Sequence, residues 1–496
     1  MTTLERVATH RLVTDRLAHP TRTTRPTVHR RPGRRSTSPL ARLSREHDAA
    51  CVFAVDPYEI AAWLESQGMS DKACERYGHP GVFSLAEALF AMVPRRAATR
   101  ATTVRRQPMS TAGSLLHGLI YALPGLAGFG LLTQGADAAV VMLVVLAVGW
   151  GWTNAASHLG HRRLGWEGRA AAREVLRRGL VGGVVLMLAL VPAVGWAVAA
   201  PPVLVGVGLG LGWYMVGAAA LLVLGHDRLL LVALVPGSVG GLLAVLHVQP
   251  WGESASFLLP GLSVLGTLAL AGVATTGSRA PRVAGQPTST GRRTPLNRAD
   301  ADAASGHLVY GVLCAIAVGA GPVTLAILDG RQLTSVWYVM LPLVLSMGPM
   351  EAQLERLRSR TSRHLWQLAD PAQFRRQAGQ SLIGSVATIV ALVAVIALLC
   401  GLALRGDPPE VVAVSGILLI GYSLLAACLF VGLILVSTGD VKVAAAAVAG
   451  ALAVYLGLAA LLPTATTVAY VAVLAILLPV LLGLALLRSR SPFVHL

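Results

Sequence analysis

Residues 421–482 read GYSLLAACLFVGLILVSTGDVKVAAAAVAGALAVYLGLAALLPTATTVAYVAVLAILLPVLL. Three apolar blocks are divided by Ser-Thr-Gly-Asp at 437–440 and Pro-Thr-Ala-Thr-Thr at 463–467, and Asp440 and Lys442 are the only charged residues. Each block is long enough to cross a hydrocarbon core of about 30 Å, which takes roughly 20 helical residues. No water is available there, so backbone N–H and C=O groups must pair within the segment. Continuous Leu, Val, Ala and Gly satisfy this as helices. Barrel strands would instead alternate apolar and polar residues over about ten positions.

Working outward, the same pattern recurs. Apolar segments run approximately over 111–133, 136–157, 178–199, 201–224, 229–248, 256–276, 307–328, 332–350, 380–404, 410–434, 441–462 and 466–487. The chain is 54% hydrophobic and 13% charged, where a water-soluble domain carries about a quarter charged residues. The expected fold class is therefore an all-α integral membrane protein of about twelve transmembrane helices.

Charge placement supplies the topology. The formal net charge is +17, and Lys72 and Lys442 are the only lysines, so the excess is arginine. HLGHRRLGWEGRAAAREVLRRG after the second segment, GHDR after the fourth, the Pro/Thr/Arg stretch around 277–306, EAQLERLRSRTSRHLWQLADPAQFRRQAGQ after the eighth, and the 488–496 tail hold nearly all of it. The alternate loops carry only Arg331 and Arg405. Basic residues stay on the cytoplasmic side of a membrane protein, so twelve segments with both termini cytoplasmic satisfy every loop. The arginine bias further suggests a bacterial origin, and the expected location is a bacterial cytoplasmic membrane.

Two regions precede the membrane part. Residues 1–50 are rich in Arg, Thr, Pro and His, cannot bury a core, and are expected to form a disordered basic tail. Contact with anionic lipid headgroups and a simple topology signal both explain its charge; nothing in it indicates nucleic acid. Residues 51–105 read as a small cytoplasmic helical module. Asp56-Pro57 is an N-cap followed by proline at the first helical position. Ser70 or Asp71 starts a second short helix, and a third spans Leu85 to Met92. Residues 55–95 are the expected docking surface for any envelope-assembly partner.

The linker 277–306 separates a first set of six helices, 111–276, from a second, 307–487. Both sets place their longest basic internal stretch after their second helix: AAREVLRRGLVGG in one, PAQFRRQAGQSLIGS in the other. Two six-helix lobes related as parallel repeats are a transporter plan. No catalytic motif is present, and no cofactor or metal is expected. Cys51, Cys74, Cys314, Cys400 and Cys428 form no CxxC pair and read as small buried hydrophobes. Polar groups inside the apolar segments are few, and these are the candidate substrate-binding residues: His117, Asn154, Tyr214, His247, Tyr310, Tyr338 and Tyr422. Aromatic faces suit sugar rings, although Trp and Tyr at helix ends equally serve as interfacial anchors. No buried carboxylate stands out.

Residues 421–482 resemble the late helices of the multidrug/oligosaccharidyl-lipid/polysaccharide flippase superfamily: a Tyr-containing helix, a short cytoplasmic turn, an Ala/Gly-rich helix, and a small-residue turn into the next. The basic stretches after the second and eighth segments are similar to that superfamily's cytoplasmic links. The resemblance extends over 111–487 and implies a central cavity between two lobes and alternating access for a lipid-linked saccharide or polysaccharide. The chain departs from it in carrying almost no cations within its helices. Two alternatives stay open: a major-facilitator-type transporter, whose signature lacks its acid at Gly160-His161-Arg162-Arg163-Leu164-Gly165, and a non-transporting membrane scaffold of an envelope assembly.

Overall fold

The computed structural model describes residues 39–46, 51, 54, 56–66, 69, 71–93, 113, 118, 120, 123, 135–166, 168–245, 255–276, 298–328, 337–367, 371–403 and 409–489. The chain divides into two compact units, Met1–Arg106 and Gln107–Leu496. His117 and His247 lie outside the described residues.

In the first unit, α1 is Pro39–Glu46, α2 Pro57–Ser66, α3 the single turn Asp71–Cys74, and α4 Val82–Met92. Asp56 caps α2 as its position predicts, its Oδ1 accepting the Glu59 N–H at 2.9 Å. The sequence-based boundary of this module is too late. Helix α1 lies inside the stretch expected to be disordered, and Leu43 is buried with Ile60, Leu64, Leu85 and Leu89 in one apolar core. The two apolar residues Leu40 and Leu43, one helical turn apart, outweigh the surrounding arginines. Helix α4 also starts earlier than Leu85. Asp71 reaches across to accept the Val82 N–H at 3.0 Å, a cap supplied from eleven residues away that no local motif announces.

The second unit is a multi-pass membrane-spanning bundle. Its helices are α5 Gly135–Trp166, α6 Arg169–Ala197, α7 Pro202–Val223, α8 Asp227–Val245, α9 Ala255–Thr276, α10 Arg298–Leu328, α11 Leu341–Gln367, α12 Pro371–Ala403, α13 Pro409–Ser437, α14 Val441–Leu461 and α15 Thr466–Ser489. Among the described residues nine helices are long and apolar enough to cross a bilayer; α8 and α11 are not among them. Segment 111–133 lies outside the described residues apart from four positions, of which Ile120 is buried against α6, α7 and α8 residues.

Two long basic stretches read as loops are mostly helix. Helix α5 runs through His161-Arg162-Arg163 to Trp166, and α11 runs through Arg356, Arg358 and Arg360 to Gln367. Helix α10 likewise begins at Arg298, inside the stretch read as a linker ending at 306. At 32 and 31 residues, α5 and α10 span about 48 and 46 Å at 1.5 Å per residue. They overrun the hydrocarbon core, and the overrun carries the charge.

Helices α5–α9 pack on one another, and α10–α15 do the same. The halves repeat a detail of chain geometry. Between α7 and α8, Gly225 has φ +74°, the His226 N–H bonds to the Leu221 carbonyl at 2.9 Å, and the Gly225 N–H to Leu222 at 3.0 Å. Between α13 and α14, Gly439 has φ +90°, the Asp440 N–H bonds to Leu435 at 3.0 Å, and the Gly439 N–H to Val436 at 3.1 Å. The same left-handed glycine cap thus closes the fourth helix of each six-helix set in the sequence-based numbering.

Proline breaks are repaired by neighbouring helices. Pro236 interrupts α8, and the Gly237 N–H beside it donates to Ser263 Oγ of α9 at 2.8 Å. Pro322 of α10 has no N–H to give the Val318 carbonyl four residues back. Tyr422 of α13 supplies the missing donor, its hydroxyl 2.6 Å from Val318 O. Tyr470 donates to the Ala317 carbonyl at 2.8 Å and Tyr455 to Ala320 at 3.4 Å. Three tyrosines from three helices therefore hold one irregular turn of α10.

Candidate functional site

The principal contact between the two halves is a single antiparallel seam of α5 against α10. Its apolar part is built on glycine. A Cβ on Gly319 would collide with the Leu143 side chain, and a Cβ on Gly151 would lie 2.6 Å from Val312 Cγ2 and 2.9 Å from the Leu308 carbonyl oxygen. A Cβ on Gly311 would lie 2.8 Å from the Trp150 carbonyl oxygen and 2.9 Å from Gly151 Cα. The backbones approach this closely because Gly151 and Gly311 carry no side chain, the usual device of helix association in lipid.

Toward the arginine-rich end the seam turns polar. The His158 and His307 rings stack across it, centroids 3.8 Å apart and planes at 22°. His158 Nε2 is buried and has no hydrogen-bond partner among the described residues. One to two turns further, Asp300 Oδ2 is 2.7 Å from Arg163 Nη2, and its Oδ1 is 3.0 Å from Arg162 Nη1. The Asp300 and Arg163 side chains are 4% and 8% exposed, so this is a buried pair. Arg162, at 33%, stays in reach of water. Two further pairs lie within the second half and off the seam: Lys442 to Asp302 at 2.9 Å and Arg488 to Asp440 at 3.3 Å.

Asp300 corrects the expectation that no buried carboxylate stands out. Its segment, Arg-Ala-Asp-Ala-Asp at 298–302, reads as a polar linker. The signal available was spacing: Asp300, His307, Gly311 and Gly319 fall on one helical face, as do Gly151, Asn154, His158 and Arg162.

The sequence-based candidates are scattered by comparison. Asn154 sits on the seam beside Gly311, its Nδ2 donating to the Trp150 carbonyl at 2.9 Å within its own helix. Tyr214 is half-buried in the first half, packed against the cluster that holds Leu180, Val216 and Leu221. Tyr310 and Tyr422 are buried in the core of the second half, Tyr310 filling the space that Gly432 leaves open. Tyr338 belongs to a 3-10 turn at Trp337–Met340, its side chain outside the described set along with His117 and His247. Trp152 and Trp213 donate to the Gly179 and Val184 carbonyls at 2.9 and 3.2 Å, so both indoles tie helices of the first half together. Among the described residues no group of three His, Cys, Asp or Glu could hold a metal ion.

No family model matches the sequence, and no curated protein matches it. Solved structures do. A crystal structure of a MATE protein in complex with MaD5 superposes with a TM-score of 0.51 at 15% identity, covering 80% of this chain and 100% of that one. An inward-facing multidrug resistance MATE family transporter of the MOP superfamily gives 0.41 at 16%, covering 79% and 96%. A MOP superfamily transporter from Pyrococcus furiosus gives 0.45 at 16%, covering 76% and 93%. The first of these likenesses spans the whole of the neighbour, and by it the chain has a MATE-like fold.

Proposed function

We propose that this chain is a transporter of the MOP type, in which two six-helix lobes with cytoplasmic termini rock about the α5–α10 seam to give alternating access, and that its cargo is a lipid-linked saccharide or polysaccharide. The observation that carries the reading is the fold likeness joined to that seam: two internally packed halves meeting chiefly along one helix pair. Only a few contacts need to change for such halves to move as bodies, and structures of this kind alternate by rocking one repeat against the other. The likeness favours this over a major-facilitator arrangement. The cargo assignment rests on the resemblance of residues 421–482 to the flippase superfamily of lipid-linked saccharides and polysaccharides, with recognition assigned to neutral polar side chains such as Asn154 and Tyr214 because the helices carry almost no cations. Deleting the gene in its source organism tests the cargo: an envelope or secreted glycan should be lost, and unchanged glycans would contradict it.

A further inference from the structure

The stack of His158 on His307 joins the two halves through two titratable rings, and the transport reading above gives it no task. Both rings are half-buried, with centroids 3.8 Å apart. His158 lies seven residues beyond Gly151, about 10 Å along the helix, and His307 lies four residues before Gly311. The stack therefore stands just outside the glycine crossing, on its arginine-rich side. At the crossing a methyl would strike backbone, so the two helices approach most closely there, and the crossing is the natural pivot. A tilt of one half about that pivot that opens the arginine-rich end pulls the rings apart.

The charged neighbours that act on His158 are Arg162, His161 and Asp300, and the one that acts on His307 is His158 itself. Asp300 is the carboxylate of that set, and arginine holds both its oxygens: Arg163 at Oδ2 and Arg162 at Oδ1. Other helices pack on the pair. Of these, α6 brings Arg173 to this end, α14 brings Lys442, paired with Asp302, and α15 brings Arg488, paired with Asp440. Helix α7 carries no charged residue, and α13 carries only Glu410, at its opposite end. With both rings neutral the stack is an ordinary aromatic contact. With both protonated, two unit charges stand at stacking distance with an arginine beside them, and like charges that close repel. Separation relieves the repulsion, because water then reaches each ring.

We infer that the His158–His307 stack is a proton-released latch: it holds the arginine-rich end of the seam shut while the rings are neutral and lets that end open when both are protonated. The inference rests on the transport reading, in which the halves move about this seam, and adds its regulation. A hydrated imidazole takes up a proton near pH 6.5, its ordinary value of about 6.5, so opening binds protons and closing releases them. A ligand shifts a two-state balance toward the state that binds it better, and here the ligand is the proton. Acid on the arginine-rich side therefore favours opening on that side, by up to about tenfold per pH unit for each proton bound.

The test follows amide hydrogen exchange in the full chain in nanodiscs at about pH 7.5 and about pH 5.5, each rate corrected for the intrinsic effect of pH. Peptides covering 155–165 and 300–310 should lose protection by about tenfold or more at the lower pH. Peptides from α8 and α9, packed within one half, should not change. His158→Phe combined with His307→Phe keeps two stacked rings and removes both titrating groups, so its protection should be the same at both pH values. His158→Gln combined with His307→Gln should lose the response as well, which covers the case in which the phenylalanine pair does not fold. A response that survives in the double variants would place the titration on another group, such as His161, and overturn the latch. Equal protection of the wild-type seam at the two pH values would overturn it too, as would a loss of protection shared by α8 and α9, which marks general unfolding. Exchange is read with no cargo present, so the latch can fail while saccharide movement stands, and the converse also holds.

Discussion

Arg163 and Asp300 come from the two halves of the chain and meet at 2.7 Å with both side chains nearly sealed from water. A buried pair contributes little net stability when intact, because desolvation offsets the attraction, but removing one partner leaves an uncompensated charge. Asp300→Ala should therefore destabilise the bundle by about 3–5 kcal/mol, read as a lowered melting temperature in detergent. Arg163→Met combined with Asp300→Leu should recover much of that loss, since Arg162 can turn to solvent. If the double variant is as unstable as Asp300→Ala, the pair does not bridge the halves as described.

The glycine crossing gives a second expectation. A methyl on Gly311 meets the Trp150 carbonyl oxygen and the Gly151 backbone, neither of which is a flexible side-chain end. Gly311→Ala should cost about 1–3 kcal/mol, the usual range for overpacking. Gly450 of α14 has nothing within 4 Å of its would-be Cβ, so Gly450→Ala should be neutral or slightly stabilising. Thermal denaturation of the two variants side by side checks the contrast.

The proline repair in α10 is testable with one atom. Tyr422→Phe removes the donor to Val318 O and leaves a part-buried carbonyl that Pro322, four residues on, cannot serve. An unsatisfied buried acceptor costs about 1–3 kcal/mol. A variant indistinguishable from wild type in melting temperature would show that the carbonyl finds another donor.

The N-terminal module has a titratable reporter. Burial first, and the Asp71 carboxylate second, push the Cys74 thiol above its usual value of 9.0. The folded module then holds this proton more tightly than the unfolded chain. Its contribution is fully present below pH 9 and falls as pH rises through that value toward the higher folded one. Maleimide labelling of Cys74 should stay slow at neutral pH, and the module should lose stability above pH 9. Rapid labelling of the native protein at pH 7 would contradict the burial.

Much of this architecture is legible in the sequence, for physical reasons that differ by element. The apolar blocks at 410–487 announce α13 to α15 because lipid permits so few alternatives to an uninterrupted helix. Asp56-Pro57 announces α2 because its cap is local. The seam was not legible. His158 and His307 stand 149 positions apart in the chain, the one opening a basic loop and the other opening the apolar segment 307–328, and only the pairing of α5 with α10 gives them a shared meaning. Tyr422 is ambiguous in the opposite sense. A tyrosine in an apolar helix reads as a cargo-binding group, yet its hydroxyl serves the backbone next to Pro322. Local composition cannot tell a hydroxyl aimed at a cavity from one aimed at an orphaned carbonyl.

The central claim is movement of cargo by two halves working about the α5–α10 seam. It is tested most directly in proteoliposomes holding a fluorescent lipid-linked oligosaccharide, with His158 and His307 replaced together by cysteine. Transbilayer movement should require the protein, stop when the two cysteines are oxidised to a disulfide, and resume on reduction. Movement that continues unchanged with the seam locked, or that is no faster than in protein-free vesicles, would contradict the account.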